Sequence, residues 1–213
     1  MIRMSMRRLL APVLLLVGLL QLGSAGYIHA KAHLAQILIG DAWAKTLVSG
    51  GVVEKPWPWA DTWPVARLEV PRHQVDLYVL SGASGNALAF GPGYEQASAK
   101  PGQAGVTVIG GHRDTHFEFL RNIKANTLLS LQLPSGQRRA YQVSGSRIVN
   151  TDHEPYLQAD RGRDELLLVT CYPFDALAPG GPLRYVVSAR PVLSVSVAIQ
   201  PRLSETQQGA FEL

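Results

Sequence analysis

A mainly β domain, an antiparallel barrel or sandwich, is the fold class predicted for most of this chain, and three observations predict it. From Val65 onward, short runs alternate apolar and polar residues with the two-residue period of half-buried strands. Glycine, proline and serine punctuate these runs at the intervals expected of strand-to-strand turns. Apolar residues make up 46% of the 213 residues, enough for a packed core, which excludes global disorder. A membrane anchor and a helix are expected ahead of this domain, and no internal repeat is present.

The N-terminal residues 9–28 are almost continuously apolar, broken by Pro12, Gln21 and small residues. That is about the length a helix needs to cross a bilayer. Arg3, Arg7 and Arg8 precede it, so the positive-inside tendency keeps residues 1–8 in the cytoplasm and exports the rest. The competing reading is a cleaved signal peptide, with residues 9–22 as its apolar region and Gly23-Ser24-Ala25 as the cleavage site. The apolar length exceeds that of a typical signal peptide and favours a single-pass signal-anchor. Either way the domain lies outside the cytoplasm, on the extracytoplasmic side of the cytoplasmic membrane.

Residues 29–64 form an intervening segment. Leu34, Ile37, Leu38 and Ala42 recur at helical spacing, which predicts an amphipathic helix over 30–47 whose stripe packs on the domain. Gly50-Gly51 ends it. Pro56, Pro58 and Pro64, interleaved with Trp57, Trp59 and Trp63, exclude regular structure and predict a stiff extended linker.

The domain proper is expected over 65–200. Residues 65–70 and 75–80 alternate as two strands, with Pro71 and His73 in the turn between them. A short helix is expected at 87–90, and a buried strand at 105–111 ending in Gly110-Gly111. One or two helical turns are expected at 117–123. Residues 127–133 and 139–148 form a hairpin around Pro134-Ser135-Gly136. The apolar run within 165–170 suits a central strand covered on both faces, and 183–189 closes the set. Alternation of Leu193, Val195, Val197 and Ile199 suggests one more strand, and 201–213 is read as a polar tail.

The formal charge of +4 is concentrated in part ahead of the apolar run, and no basic stripe interleaved with aromatics appears. Nucleic acid is therefore excluded as a partner. The chain holds a single cysteine, Cys171, so it has no internal disulfide framework. Free cysteine is among the most buried residue types, so a lone one is core filler unless its surroundings argue otherwise.

Here they do. Cys171 follows an apolar strand, and Pro173 stops that strand from continuing. His112 stands at the end of another buried strand, directly after two glycines. Arg184 lies inside the closing strand, where a charge is costly unless it faces a cleft or a partner. A thiol, an imidazole and a guanidinium at strand ends suit acyl transfer: the thiolate attacks, the histidine moves protons and the arginine steadies negative charge. Taken singly, His112 reads equally well as a loop histidine and Arg184 as half of a surface ion pair; their joint pattern favours one site.

The stretches Val108-Ile109-Gly110-Gly111-His112-Arg113-Asp114, Leu168-Val169-Thr170-Cys171 and Leu183-Arg184-Tyr185-Val186-Val187 resemble the three signature strands of sortases, in the same order. Thr170-Cys171-Tyr172-Pro173-Phe174 and Gly111-His112-Arg113-Asp114 look most like the single sortase of Gram-negative proteobacteria. The resemblance implies a closed eight-stranded sortase-type barrel with short helices. It implies a thiol transpeptidase that cleaves an LPxTG-like C-terminal sorting signal of an exported protein after its Thr. The thioacyl enzyme then passes to an amine acceptor. Cys171 would be the nucleophile, His112 the general acid/base and Arg184 the oxyanion or substrate-backbone donor. His116 is a lesser candidate for the imidazole, because the family's histidine follows the glycine directly. Asp114 is not read as catalytic.

Neither cofactor nor metal is expected. Some sortases bind calcium, but Glu95, Asp152, Glu154 and Asp160 lack a recognisable loop spacing and read as solvated surface. Two rivals remain. An L,D-transpeptidase would carry a Ser-x-Gly-Cys-x-Arg core, and no arginine follows Cys171 before Arg184. A membrane-tethered, non-enzymatic β-domain with an inert thiol would bind a cell-envelope partner instead.

Overall fold

The computed structural model describes residues 3–83, 85–153, 163–176 and 180–192. Among the described residues two α-helices, α1 (Arg3–Val48) and α2 (Asn86–Phe90), accompany eight strands. These are β1 (Pro64–Val70), β2 (Val75–Ser81), β3 (Gly93–Tyr94), β4 (Val106–Gly110), β5 (Leu128–Gln132), β6 (Arg138–Asn150), β7 (Glu165–Cys171) and β8 (Leu183–Pro191). They close into a barrel in the order β1-β2-β3-β4-β7-β8-β6-β5. Closure leaves no free sheet edge for another chain to pair with.

The alternation in β1 has the outcome its pattern demands. Ala66, Leu68 and Val70 are fully buried while Val65, Arg67 and Glu69 are half-buried. With Leu129, Leu131, Tyr141, Ile109, Leu166, Leu168 and Val187 they fill the interior of the barrel. Burying each such side chain stabilises the fold by about 1.5–3 kcal/mol. In β7 both faces are covered, as its unbroken Leu-Leu-Leu-Val run requires. Leu166 and Leu168 join the interior cluster, while Leu167 and Val169 join a second cluster with Val108 and Val186.

Three expectations need correction. The sheet is not wholly antiparallel: β2–β3 and β4–β7 pair in parallel. Long connections separate β4 from β7 in sequence and allow the crossover that parallel pairing needs. β3 is two residues long, too short to leave any periodicity to read. The expected helix at 30–47 is the last part of one continuous helix, because no glycine pair or proline interrupts the chain between Pro12 and Gly50. Its buried stripe is rotated from the expected one. Ala35, Ile39, Ala42, Trp43 and Thr46 are covered, whereas Leu34 and Ile37 are exposed. Ile39 sets this rotation by packing on Leu80 and Ala87.

The proline-rich segment is irregular and docked on the domain. Pro56, Ala60 and Thr62 are buried. Trp57 packs edge-on against Phe90, and the Thr62 hydroxyl donates to the Ser81 carbonyl at 2.8 Å.

The membrane anchor expected at 9–28 is not shown. Among the described residues no helix is long and apolar enough to cross a membrane. Side chains are described without a gap only over 12–24 of that stretch, about 20 Å of helix against a hydrocarbon layer of about 30 Å. Those of Leu9, Ala11, Ala25 and Ile28 lie outside the described residues, as do the strand expected at 193–199 and the tail at 201–213.

Candidate active site

The register of three neighbouring strands assembles the site. β4 and β7 run parallel with Gly110 beside Val169, and β7 and β8 run antiparallel with Cys171 directly opposite Arg184. Directly opposed residues project to the same face of a sheet. The thiol and the guanidinium therefore share one face at the C-terminal end of β7. Val108, Gly110 and Val169 lie on that face too, and a cavity of about 250 Å³ opens over it. Its lining includes His112, Cys171 and Arg184, so the three residues singled out in sequence share one cleft.

His112 is brought there by Gly111, which two hydrogen bonds hold against β7. The Gly111 N–H donates to the Val169 carbonyl at 3.0 Å, and the Thr170 hydroxyl donates to the Gly111 carbonyl at 2.6 Å. A Cβ at residue 111 would stand 2.8 Å from the ring of the fully buried Phe117, so only glycine lets the chain pass. The Phe117 N–H then donates to the His112 carbonyl at 2.9 Å, closing a turn. The imidazole of His112 is left exposed at the cleft mouth, while Cys171 is half-buried. A thiol open to solvent in part, rather than sealed in a core, is the condition for reactivity.

Arg184 is half-buried, and its Nη1 donates to the carbonyls of Gly181 at 2.6 Å and Leu183 at 2.9 Å. The guanidinium is held on its own backbone turn with donors left over for a ligand.

His116 does not line the cleft. Burial pulls its imidazole below the usual pKa, the proximity of His112 adds to this, and Asp114 opposes it.

Two residues were not legible as site residues. Arg113 ties the His112 turn to the segment after Cys171, with Nη1 donating to the Pro173 carbonyl at 3.0 Å and Nη2 to that of Ala176 at 2.6 Å. Its position directly after the histidine was the available signal. Glu95, expected as solvated surface, lines the cleft instead. Nothing in the sequence announces this, because it depends on the two-residue β3. Asp152 is exposed, and Glu154 and Asp160 lie outside the described residues. No cluster of His, Cys, Asp or Glu suited to a metal ion occurs among the described residues.

Residues 68–192 match the sortase domain family. Sortase D of Bacillus subtilis (strain 168) is 30% identical over 125 residues, 59% of this chain and 62% of the relative, so the chain spans less than two thirds of that protein. Among solved structures, sortase A from Corynebacterium diphtheriae is 25% identical, with a TM-score of 0.57 and coverage of 65% of each chain. A Clostridium perfringens sortase C, described with the C-terminal cell wall sorting motif, shares the fold at 17% identity. Its TM-score is 0.55, covering 78% of this chain and 91% of the other. Neither the L,D-transpeptidase nor the inert-thiol reading is favoured by these likenesses. With the family match running from within β1 to just past β8 and including all three cleft residues, the chain belongs to the sortase family.

Proposed function

We propose that the chain is a cysteine transpeptidase acting on the C-terminal sorting signal of an exported protein. One observation carries this reading: Cys171, half-accessible, lines the same cleft as His112 and Arg184. In the first half-reaction the Cys171 thiolate attacks the carbonyl carbon of the Thr in an LPxTG-like signal. Arg184 donates to the oxyanion or the substrate backbone. The tetrahedral adduct collapses, the C–N bond breaks, and His112 delivers a proton to the leaving amine. In the second, an amine acceptor attacks the thioester, His112 takes its proton, and the Cys171 thiolate is released as the new amide forms.

The finer likeness to the proteobacterial subgroup rests on Gly111-His112-Arg113-Asp114 and on the Tyr172-Pro173-Phe174 that follows Cys171. The first part of α1 is proposed as a membrane anchor with the barrel on the periplasmic side. In support, described side chains from Leu10 to Leu22 have no protein cover, and three arginines precede them.

The test is intact-mass spectrometry of the protein mixed with a sorting peptide. The wild type gains the mass of the acyl fragment on Cys171, and Cys171→Ala gains nothing and cleaves nothing with an unchanged circular-dichroism spectrum. Cleavage by a natively folded Cys171→Ala protein overturns the nucleophile assignment.

A further inference from the structure

The cleft carries one charged side chain that acyl transfer does not use. Glu95 lies just beyond β3, and its backbone is fixed on both sides: its N–H donates to the Val108 carbonyl at 2.9 Å, and its carbonyl accepts from the Ser98 N–H at 2.9 Å and the Ser98 hydroxyl at 2.6 Å. The carboxylate accepts from the Ala97 N–H at 3.3 Å, a weak contact that leaves most of its acceptor capacity open. No Lys, Arg or His pairs with it among the described residues. A half-buried carboxylate without a cation, on the wall of a substrate cleft, calls for one.

Strand geometry locates that cation. Glu95 stands beside Val108 on β4, Gly110 pairs with Val169, and Cys171 lies two residues further along β7. Four strand residues therefore separate the level of Glu95 from that of the thiol, about 13 Å at roughly 3.3 Å per residue. An extended peptide covers that span in four residues, and five allow for the reach of the side chains. Along the way the floor is apolar, formed by Val108 and Val169. The guanidinium of Arg184 lies at the other end, opposite Cys171. The cleft is thus polarised, positive where an oxyanion would form and negative one peptide stretch away.

We infer that Glu95 selects sorting signals carrying a basic side chain four to five residues to the N-terminal side of the scissile bond, at or just before the leading residue of an LPxTG-like motif. This rests on the transpeptidase reading above. The acyl half of the substrate must lie in the cleft when the thioester forms, so the partner of Glu95 belongs to that half and not to the incoming acceptor.

The experiment uses the whole chain and quenched fluorescent peptides that differ only by Lys, Gln or Glu at each of those two positions. At one of them the wild type is expected to cleave Lys over Glu by roughly tenfold in kcat/KM, with Gln between, the scale of one partly shielded ion pair gained against one repulsion. The preference shrinks as salt is raised. Glu95→Gln flattens the series and Glu95→Lys inverts it. A wild type indifferent to charge, or a preference that survives Glu95→Gln or high salt, overturns the inference while leaving transpeptidation intact. Glu95 variants that alter only the dependence on acceptor-amine concentration also overturn it, by assigning the cation to the acceptor. A wild type that acylates with no peptide, though Cys171 alkylates readily, removes the transpeptidase reading and this inference with it.

Discussion

Arg184 and Arg113 place two guanidinium groups at the cleft in different ways. Arg184 sits opposite Cys171 and keeps donors free beyond its bonds to Gly181 and Leu183. Arg184→Ala is expected to lower kcat/KM by roughly 100-fold, the scale of losing an oxyanion donor. Arg184→Lys recovers only part, since an ammonium lacks the planar fork. A purely structural role would instead lower the melting temperature and spare the activity of the folded fraction, so kinetics and melting curves together decide. Arg113 acts at one remove, spanning the His112 turn and the carbonyls of Pro173 and Ala176. Its loss lets the imidazole and the thiol drift apart, and small misplacements of reacting groups are costly. Arg113→Ala is expected to lower kcat roughly tenfold with KM near wild type, with partial rescue by Lys. An equal fall in both variants explained wholly by unfolding would remove Arg113 from this positioning role.

At the scale of elements, the pairing of β1 with β2 carries a test of electrostatics. Arg67 binds the Asp76 carboxylate with both prongs, at 2.6 and 2.5 Å. This hydrogen-bonded pairing holds the Asp76 carboxyl below its ordinary value, against the opposing effect of partial burial. A depressed folded pKa gives stability that is complete above the ordinary carboxylate value of 3.8 and is lost as pH falls through the lower folded value. Because the pair is partly open to water, Asp76→Asn is expected to cost only about 0.5 kcal/mol at pH 7. The gap between wild type and variant should close below pH 3.8 in urea titrations. A gap that persists in acid would mean the substitution acts through packing rather than charge. The α1–barrel contact is held differently, by Ile39, Trp43 and Ala42 buried against the sheet and α2. Ile39→Ala is expected to cost about 2–4 kcal/mol in the same titrations. A cost under 1 kcal/mol would mean that this helix contributes little to the barrel.

For the whole molecule, the proposed anchor is open to a direct test. The described apolar side chains of Leu14, Leu15, Leu20 and Leu22 are 63–72% exposed, which a water-facing helix rarely sustains over consecutive turns. With the proposed anchor, the intact chain is expected in the inner-membrane fraction after salt and carbonate washes. A chain starting at residue 30 is expected in the soluble fraction. Recovery from the periplasm of a soluble form beginning at Gly26 would identify a cleaved signal instead.

By itself the sequence determined the β character, most strand positions and the three residues of the cleft. Each of these leaves a local trace: alternation in 65–70, an unbroken apolar run before Cys171, and a glycine pair before His112. The tertiary structure alone decided what depends on neighbours distant in the chain. The rotation of α1 follows from where Leu80 and Ala87 stand, not from the helix's own apolar spacing. The parallel pairing of β4 with β7 follows from a crossover, and the short β3 exists because its backbone is wedged beside β2. A Cβ at Gly93 would lie 2.1 Å from the Gly82 carbonyl oxygen. That wedge brings Glu95 alongside Val108, so a carboxylate that reads as ordinary surface in sequence becomes a wall of the cleft. Side-chain type and period are local properties of the chain. Which charge faces which cleft is settled by long-range strand register, and register is set by the packing of the closed barrel.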